Sequence, residues 1–420
     1  MNRKPIPREQ IVAALSALGV YVTSETLPPP GQKTTVEVGR SMMEKCEASL
    51  TKLFIPEYDS HGVRAFRGLR EAYVTLTGDS DIRGVLNRNN ISPDIRSCQD
   101  FDSSTFATAL GNAMSMYLSK KYKEFPYHEE ILISEKKKAT DLRKVHSEQV
   151  GYFGELPDID TETENYSSVG TYTDTEAQYQ IGKKGTVVWV SDHVIINDSI
   201  GLIQGMVDRM SRSARVAHAK YVWNFYMSNA LCPDGTAWFT LDHGNLGANA
   251  LDIAPLVAAI TALANMTEPE PSGEKIGLDL ATFNWHLVVP IAMWDLAVKK
   301  NFADGSYYEA NDLTTKVPNP CQKLFGDRNE RIVTCPFLTD ANDWGIIRDV
   351  EDVPIVEMSY LHGREVPEFI TAWGPKGTNY GLNSATPEPT FKGDKIGFKI
   401  RHEYGGALVD YRGGYKAILP

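Results

Sequence analysis

The chain has 420 residues, with 43 Lys and Arg against 54 Asp and Glu, a formal net charge of −11 and 42% hydrophobic residues. That composition belongs to a globular protein rather than a disordered one, and at roughly 150 residues per domain it allows about two or three domains. The acidic balance disfavours a tight, sequence-independent nucleic-acid binder, whose affinity comes from counterions released by Lys and Arg, though not a container that encloses nucleic acid without gripping it.

From the N-terminus, Pro7 opens a short helix with Ile11, Leu15 and Leu18 on one face and Gly19 at its end. Glu9 and Gln10 interrupt what would otherwise resemble a signal peptide. Leu27-Pro28-Pro29-Pro30-Gly31 is a linker, because neither a helix nor a central strand accommodates it. Val38 to Phe54 has a helical pattern, and Ser103 or Ser104 caps a helix carrying Phe106, Leu110, Met114, Tyr117, Leu118 and Tyr122 on one side.

Tyr172 to Ile181 alternates as a strand, with Thr173, Thr175, Ala177, Tyr179 and Ile181 on one face. Both faces are largely polar, so it is expected to bury little. Lys136, Lys137, Lys138, Arg143 and Lys144 precede it, and between them and the strand stand Glu155, Asp158, Asp160, Glu162 and Glu164 without a basic residue among them. One reading is a long hairpin with a basic base and an acidic tip, held by another copy because a lone two-stranded hairpin is marginal in water. The other is a solvated loop whose charges keep it soluble.

Asn197-Asp198-Ser199 then caps the clearest helix, in which Ile200, Ile203, Val207, Met210, Ala214, Ala217, Tyr221 and Phe225 recur at three and four spacing. Running to about Leu231 it would be roughly 50 Å long, and it reads as a spine packed on a sheet rather than a coiled coil. Cys232-Pro233-Asp234-Gly235 ends it with a turn, and Ala250 to Met266 forms a second, more apolar helix that no membrane span requires. Short apolar runs follow at His286 to Pro290, Ile332 to Leu338, Val353 to Met358 and Phe369 to Trp373, with a polar loop at Asn301 to Asn319. Ile396, Phe398 and Ile400 alternate with Lys395, Lys399 and Arg401 as a half-buried strand, followed by Ala407 to Tyr411. The class is α+β.

The search for chemistry yields no catalytic, cofactor-binding or metal-binding residues. His128-Glu129 lacks the second His of a zincin helix, and Gly374-Pro375-Lys376-Gly377-Thr378 lacks the GK[ST] of a phosphate loop. Cys46, Cys98, Cys232, Cys321 and Cys335 are scattered without a CxxC pair, which reads as free thiols in a reducing compartment, Cys232 included. Asp79 with Asp81, and Asp158 with Asp160, lack the further oxygen ligands of a cation loop. Asp242-His243-Gly244-Asn245 could serve a metal-dependent hydrolase, but it reads better as a turn whose His bonds the backbone. The seven tryptophans read as core rather than as a platform for bases.

Asn197-Asp198 opening the long helix, followed by Phe239-Thr240 and His243-Gly244-Asn245, resembles the major capsid proteins of Mu-like tailed phages and prophages. Ser103-Ser104-Thr105-Phe106, Leu287-Val288-Val289-Pro290, Ile400 to Gly405 and Asp410-Tyr411-Arg412-Gly413 extend that resemblance, in order, over residues 100 to 420. It implies the capsid fold named after phage Hong Kong 97. The domains would be an N-terminal extension at 1–100, an N-arm helix region at 101–138, an extended hairpin or E-loop at 139–197, and a peripheral domain with the spine helix at 198–279. An axial domain would follow at 280–375, with return strands at 376–420. It also implies a non-enzymatic shell protein of the virion, assembled in host cytoplasm into hexamers and pentamers around double-stranded DNA. Portal, scaffold, maturation protease and decoration proteins are the implied partners, with no cofactor and no membrane. The acidic tip would meet Lys136 to Lys138 and Arg143 of a neighbour. An encapsulin-like compartment, or a hydrolase using Asp242 and His243, are the alternatives.

Overall fold

The structure is a computed structural model that describes residues 42–60, 62–77, 103–149, 175–191, 200–268, 273, 275–276, 284–302, 306–309, 312–372 and 395–419. The expected helix at Ile11 to Val22, the proline linker, Asp79 and Asp81, Cys98, the acidic stretch Glu155 to Glu164, Asn197-Asp198-Ser199, Trp373 and Gly374 to Thr378 lie outside them. The chain divides into two compact units, each discontinuous in sequence. The smaller comprises Met1–Tyr117, Val188–Gly205 and Ile370–Phe398, and the larger Leu118–Val187, Met206–Phe369 and Lys399–Pro420.

In the smaller unit, helix α1 (Met42–Phe54) buries Cys46, Leu50 and Phe54, and α2 (Leu69–Thr77) buries Leu69 and Ala72. Helix α3 (Ser103–Lys123) brings Leu110, Met114 and Tyr117 into this unit, as its apolar spacing predicts. The Phe54 and Tyr117 rings lie 6.2 Å apart, and Asn112 Nδ2 donates to Glu47 Oε1 at 2.9 Å.

The larger unit holds the second of two sheets and most of the first. The first holds β1 (Ile133–Ala139), β11 (Val356–Leu361), β13 (Lys395–Leu408) and β12 (Glu368–Ala372) in that order, with β4 (Gly182–Ser191) also paired to β13. β1 runs parallel to β11, with Lys138 opposite Tyr360, and β11 runs antiparallel to β13, with Tyr360 opposite Tyr404. The expected strand at 395–401 and the segment after it are one continuous strand to Leu408, with Phe398 and Ile400 buried.

The second sheet has the order β5 (Leu246–Gly247), β14 (Gly414–Ala417), β10 (Trp344–Ile347), β6 (His286–Val289) and β9 (Ile332–Thr334). Both of its faces are covered. Leu287, Val289, Trp344 and Ile346 pack with Leu256, Ala259 and Leu263 of helix α5 (Ile253–Ala264) and with Ala297 of α6 (Trp294–Phe302). Val288, Val333 and Ile347 join the other core. Two-sided burial explains why Leu287-Val288-Val289 is an unbroken apolar run. Helix α5 starts later than the sequence suggested because the Asp252 side chain caps it, accepting from the Ile253 N–H at 2.7 Å.

Helix α4 (Ile200–Met227) is the spine. It ends short of Leu231 because Asn229 adopts a left-handed conformation (φ 51°). Both ends of the Asn229 amide bond the Phe239 backbone, which folds the chain back. The buried face also differs from the expected stripe. Ala214, Ala217, Tyr221 and Phe225 are only half-buried, while Ser211, Arg215, His218, Val222, Trp223 and Tyr226 face the core. Ile203, Val207 and Met210 are buried as expected, and beyond them the stripe shifts because three of its positions, Ser211, Arg215 and His218, are polar residues with hydrogen-bond partners, which apolar spacing does not count.

The expected polar loop at Asn301 to Asn319 is also corrected. Its backbone forms a two-stranded antiparallel ladder of β7 (Ser306–Glu309) and β8 (Asp312–Pro318). Tyr307, Tyr308, Thr314, Thr315 and Val317 are residue types with high strand preference.

Candidate functional site: the hairpin base and its buried carboxylates

The hairpin expected around residues 139–197 is present at its base. β2 (Lys144–Gln149) and β3 (Thr175–Gln180) pair antiparallel, with Ser147 opposite Ala177 and Val145 opposite Tyr179. Directly opposed residues share a face, and on this one Ser147, Ala177 and Tyr179 are buried, as is Ile181. The expectation that the strand buries little, and that only another copy can hold it, is therefore overturned for the base. The hairpin's own chain supplies the surface it packs on.

That surface is centred on Glu357, a carboxylate only 2% exposed on β11. Glu357 Oε2 accepts from Ser147 Oγ at 2.5 Å and from Lys137 Nζ at 2.7 Å, and Oε1 accepts from the Tyr179 hydroxyl. Ser359 Oγ lies 2.6 Å from the same Tyr179 oxygen. Since the phenol proton goes to the carboxylate, Ser359 is the donor to Tyr179. Burial works against the Glu357 charge, yet the donors from Lys137, Ser147 and Tyr179 outweigh it and hold its carboxyl below the ordinary range. β11 presents this polar pair on one face and Val356, Met358 and Tyr360 to the core on the other. Alternation in Val-Glu-Met-Ser-Tyr was the sequence signal, but by itself it points Glu357 and Ser359 at solvent.

Of the basic residues expected at the hairpin base, Lys144 begins β2, and the other four lie on or near β1 and pair within the chain. Lys136 bonds Glu130, Lys137 bonds Glu357, Lys138 lies 3.0 Å from Glu365, and Arg143 lies 3.6 Å from Asp141.

A second buried carboxylate, Glu129, which the sequence offered only as part of an incomplete zincin motif, is fully enclosed. It pairs with Arg215, whose Nε donates to the Phe125 carbonyl at 2.9 Å. His218 Nδ1 lies 3.2 Å from Glu129 Oε1 and its Nε2 lies 2.8 Å from the Tyr360 hydroxyl. The carboxylate contact places the imidazole proton on Nδ1, so that Tyr360 donates to Nε2. His218 stacks on Tyr360 and His402, and meets the Tyr404 ring edge-on at 5.1 Å. Carboxylate, imidazole and phenol in series have the outline of a proton relay. Burial, however, pushes His218 down to about 3, with the Arg215 charge adding to it, and drives the Tyr360 phenol up. Neither group is poised to exchange a proton near neutral pH, so the cluster acts as a rigid polar pin between α4 and β11.

The Asp242-His243 pair resolves into a turn, as the plainer reading expected. His243 Nδ1 lies 3.1 Å from the Trp238 carbonyl, while Nε2 lies 2.9 Å from Asp234 and 2.8 Å from Thr236 Oγ1. Its ring stacks on Tyr411 with centroids 3.7 Å apart. The carboxylate partner is thus Asp234, and Asp242 is exposed. Asn245 completes the turn, its amide bonding Trp238 O and Thr240 N.

Among the described residues no three His, Cys, Asp or Glu side chains gather as metal ligands, and no helix is long and apolar enough to cross a membrane. Cys46, Cys232, Cys321 and Cys335 are free and buried, and burial pushes the Cys232 thiol well up. Trp223, Trp238, Trp285 and Trp344 are core as expected, whereas Trp189 and Trp294 are about half exposed.

The phage capsid protein family matches residues 174–417, more than half of the chain. No curated protein matches it. Among solved structures, the capsid of an empty GTA particle is similar at 10% identity and a TM-score of 0.43, covering 70% of this chain and 91% of that one. A structure titled Mycobacterium phage Patience is similar at 9% identity and 0.41, covering 81% and 94%. One titled Microbacterium phage Oxtober96 is similar at 10% and 0.39, covering 70% and 91%. The assignment rests on the family match, which spans β3, the spine helix and every strand of the second sheet: the chain belongs to the phage capsid protein family.

Proposed function

We propose that this chain is the major capsid protein of a tailed-phage head or a related prophage, self-assembling into hexamers and pentamers that close an icosahedral shell around double-stranded DNA. The observation that carries the proposal is the family match over residues 174–417. Paired strands 144–149 and 175–180, locked to their own sheet by Glu357, suit a hairpin that serves as a contact element of a shell. Chemically the chain does nothing in this role. Heterologous contacts close rings, and one sequence occupies inequivalent positions.

The finer parts belong to the same proposal. The Mu-like affiliation rests on the order of the sequence motifs from Ser103 to Gly413. In the Hong Kong 97 scheme, residues 1–100 are an extension, 101–138 the N-arm helix region and 139–197 the E-loop. Residues 198–279 are the peripheral domain, 280–375 the axial domain and 376–420 the return strands. The assembled protein resides in the virion after assembly in host cytoplasm, with portal, scaffold, maturation protease and decoration proteins as partners. Electron microscopy of the chain expressed alone, with an absorbance ratio for nucleic acid, tests the reading. Closed shells or capsomer rings are expected. A chain that stays monomeric across salt and pH, and when co-expressed with its neighbouring head genes, would overturn it.

A further inference from the structure

Within the larger unit, a cavity of about 220 Å³ remains between the spine helix, β4 and β13. Lys184, Ser213, Ala214, Ala217, His402 and Tyr404 line it. At the share of liquid volume that each water occupies, it has room for about seven waters. That suits a small ion with its hydration and falls short of the roughly 300–1,000 Å³ of pockets for drug-sized ligands.

The charge on its wall is of one sign. Lys184 and Arg401 contribute to the lining, and no Asp or Glu does. Arg401 is committed to Glu368. Lys184 makes no ion pair with another described residue, and its Nζ rests 4.3 Å from the Tyr221 ring centre and 4.7 Å from that of Tyr404. Desolvation with no carboxylate to offset it pushes this ammonium down. The cation thus lacks an anion.

Two further lining residues lack partners. His402 is 5% exposed and Tyr404 2%, yet His402 Nδ1 and the Tyr404 hydroxyl meet no hydrogen-bond partner. Buried polar atoms left in this way call for an explanation. Their roles are fixed by their surroundings. His402 Nε2 lies 3.3 Å from the Glu365 carbonyl, which can only accept, so Nε2 carries the proton and Nδ1 is an acceptor. Burial drives the Tyr404 phenol up, so it keeps its proton and can donate. A matching ligand is therefore an anion that also has a proton to give. Inorganic phosphate qualifies, because both of its forms near neutral pH retain a P–OH. Sulfate has the charge and shape without the proton, and so does the diester of a DNA backbone.

We propose that this cavity binds inorganic phosphate, with Lys184 Nζ and the Tyr404 hydroxyl donating to its oxygens and its P–OH donating to His402 Nδ1. Bound there, the ion ties β4 and β13 to the spine helix, a ligand-binding function that the shell role does not include.

Isothermal titration of the full chain with sodium phosphate, at pH 7 and fixed ionic strength, should show saturable binding, and the thermal unfolding midpoint should rise with phosphate. Sulfate, and dimethyl phosphate standing in for a diester, should each bind at least about tenfold more weakly. Lys184→Gln should weaken phosphate binding by at least about tenfold and leave the midpoint in phosphate-free buffer unchanged, since the ammonium has no carboxylate to lose. Tyr404→Phe should also weaken binding without lowering that midpoint, because the hydroxyl it removes is unpaired. Sulfate or dimethyl phosphate binding as tightly as phosphate would overturn the proposal, as would full affinity in Lys184→Gln. So would a chain whose titration and melting ignore phosphate, in which case ordered water alone meets His402 and Tyr404.

Discussion

The phenol of Tyr179 donates to the carboxylate of Glu357, joining residues 178 positions apart in sequence and fastening the hairpin to its own sheet. Ser147 from the other hairpin strand and Lys137 from β1 reach the same carboxylate. Three elements therefore depend on one buried charge. Four outcomes follow from that anchor and from the packing around it.

Glu357→Gln keeps the volume but replaces an acceptor-only group with an amide facing Lys137 and Ser147. Lost charge-assisted bonds and a mismatched buried donor should cost about 2 kcal/mol. Urea unfolding reads that loss as a lower midpoint. Hydrogen exchange should quicken at residues 144–149 and 175–180 while β6 and β10 keep their protection. Unchanged protection of the hairpin strands would refute the anchor.

Acid should loosen the larger unit in two stages. Burial lowers His218 from 6.5 to about 3 and His402 from 6.5 to about 4, so both are neutral in the fold. As pH falls from 6.5 to about 4, the unfolded chain takes up two protons that the fold refuses, and stability drops by about 1.4 kcal/mol per pH unit for each group. Glu357, held below its ordinary 4.5, contributes fully above that value and is lost as pH falls through its lowered one. His402→Phe, which fits among Tyr122, Tyr360 and Tyr404, should roughly halve the first slope in urea midpoints taken at pH 7, 6 and 5.

Two glycines permit close backbone approach. A Cβ on Gly185 would lie 2.5 Å from the Ile400 carbonyl oxygen, and one on Gly405 would lie 2.5 Å from the Gln180 carbonyl oxygen. Because the obstacles are backbone, neither clash relaxes by a rotamer change. Gly185→Ala and Gly405→Ala should each cost about 1–3 kcal/mol. Thermal unfolding measures this, and an unchanged Tm would contradict the close packing.

His243→Ala should destabilise by about 1–3 kcal/mol, because Asp234 and the Trp238 carbonyl lose a partner and the Tyr411 stack is removed. Asp242→Ala should stay within about 0.5 kcal/mol, as an exposed substitution. A hydrolase built on Asp242 and His243 would instead show two variants of equal consequence in an activity screen.

Much of this architecture was determined by the sequence alone, wherever backbone geometry sets the pattern. The stripe of Leu110, Met114 and Tyr117, the alternation of Phe398 and Ile400, and the pairing-prone Ala177 and Tyr179 each have a period that one element imposes on its own residues. The turn at Asp242 to Asn245 was equally legible, since Gly and Asn announce it. Tertiary structure alone decided which polar residues are enclosed. Glu357 reads as the solvent-facing half of an alternating strand until the hairpin covers it, and Arg215 and His218 read as the wet side of the spine until Glu129 meets them. Asp234, nine positions away, rather than the adjacent Asp242, proved to be the carboxylate that holds His243. The physical reason is common to these cases. Periodicity is a local property of the backbone, whereas the desolvation of a charge depends on donors brought from distant segments, and those donors exist as a set only once the chain has folded.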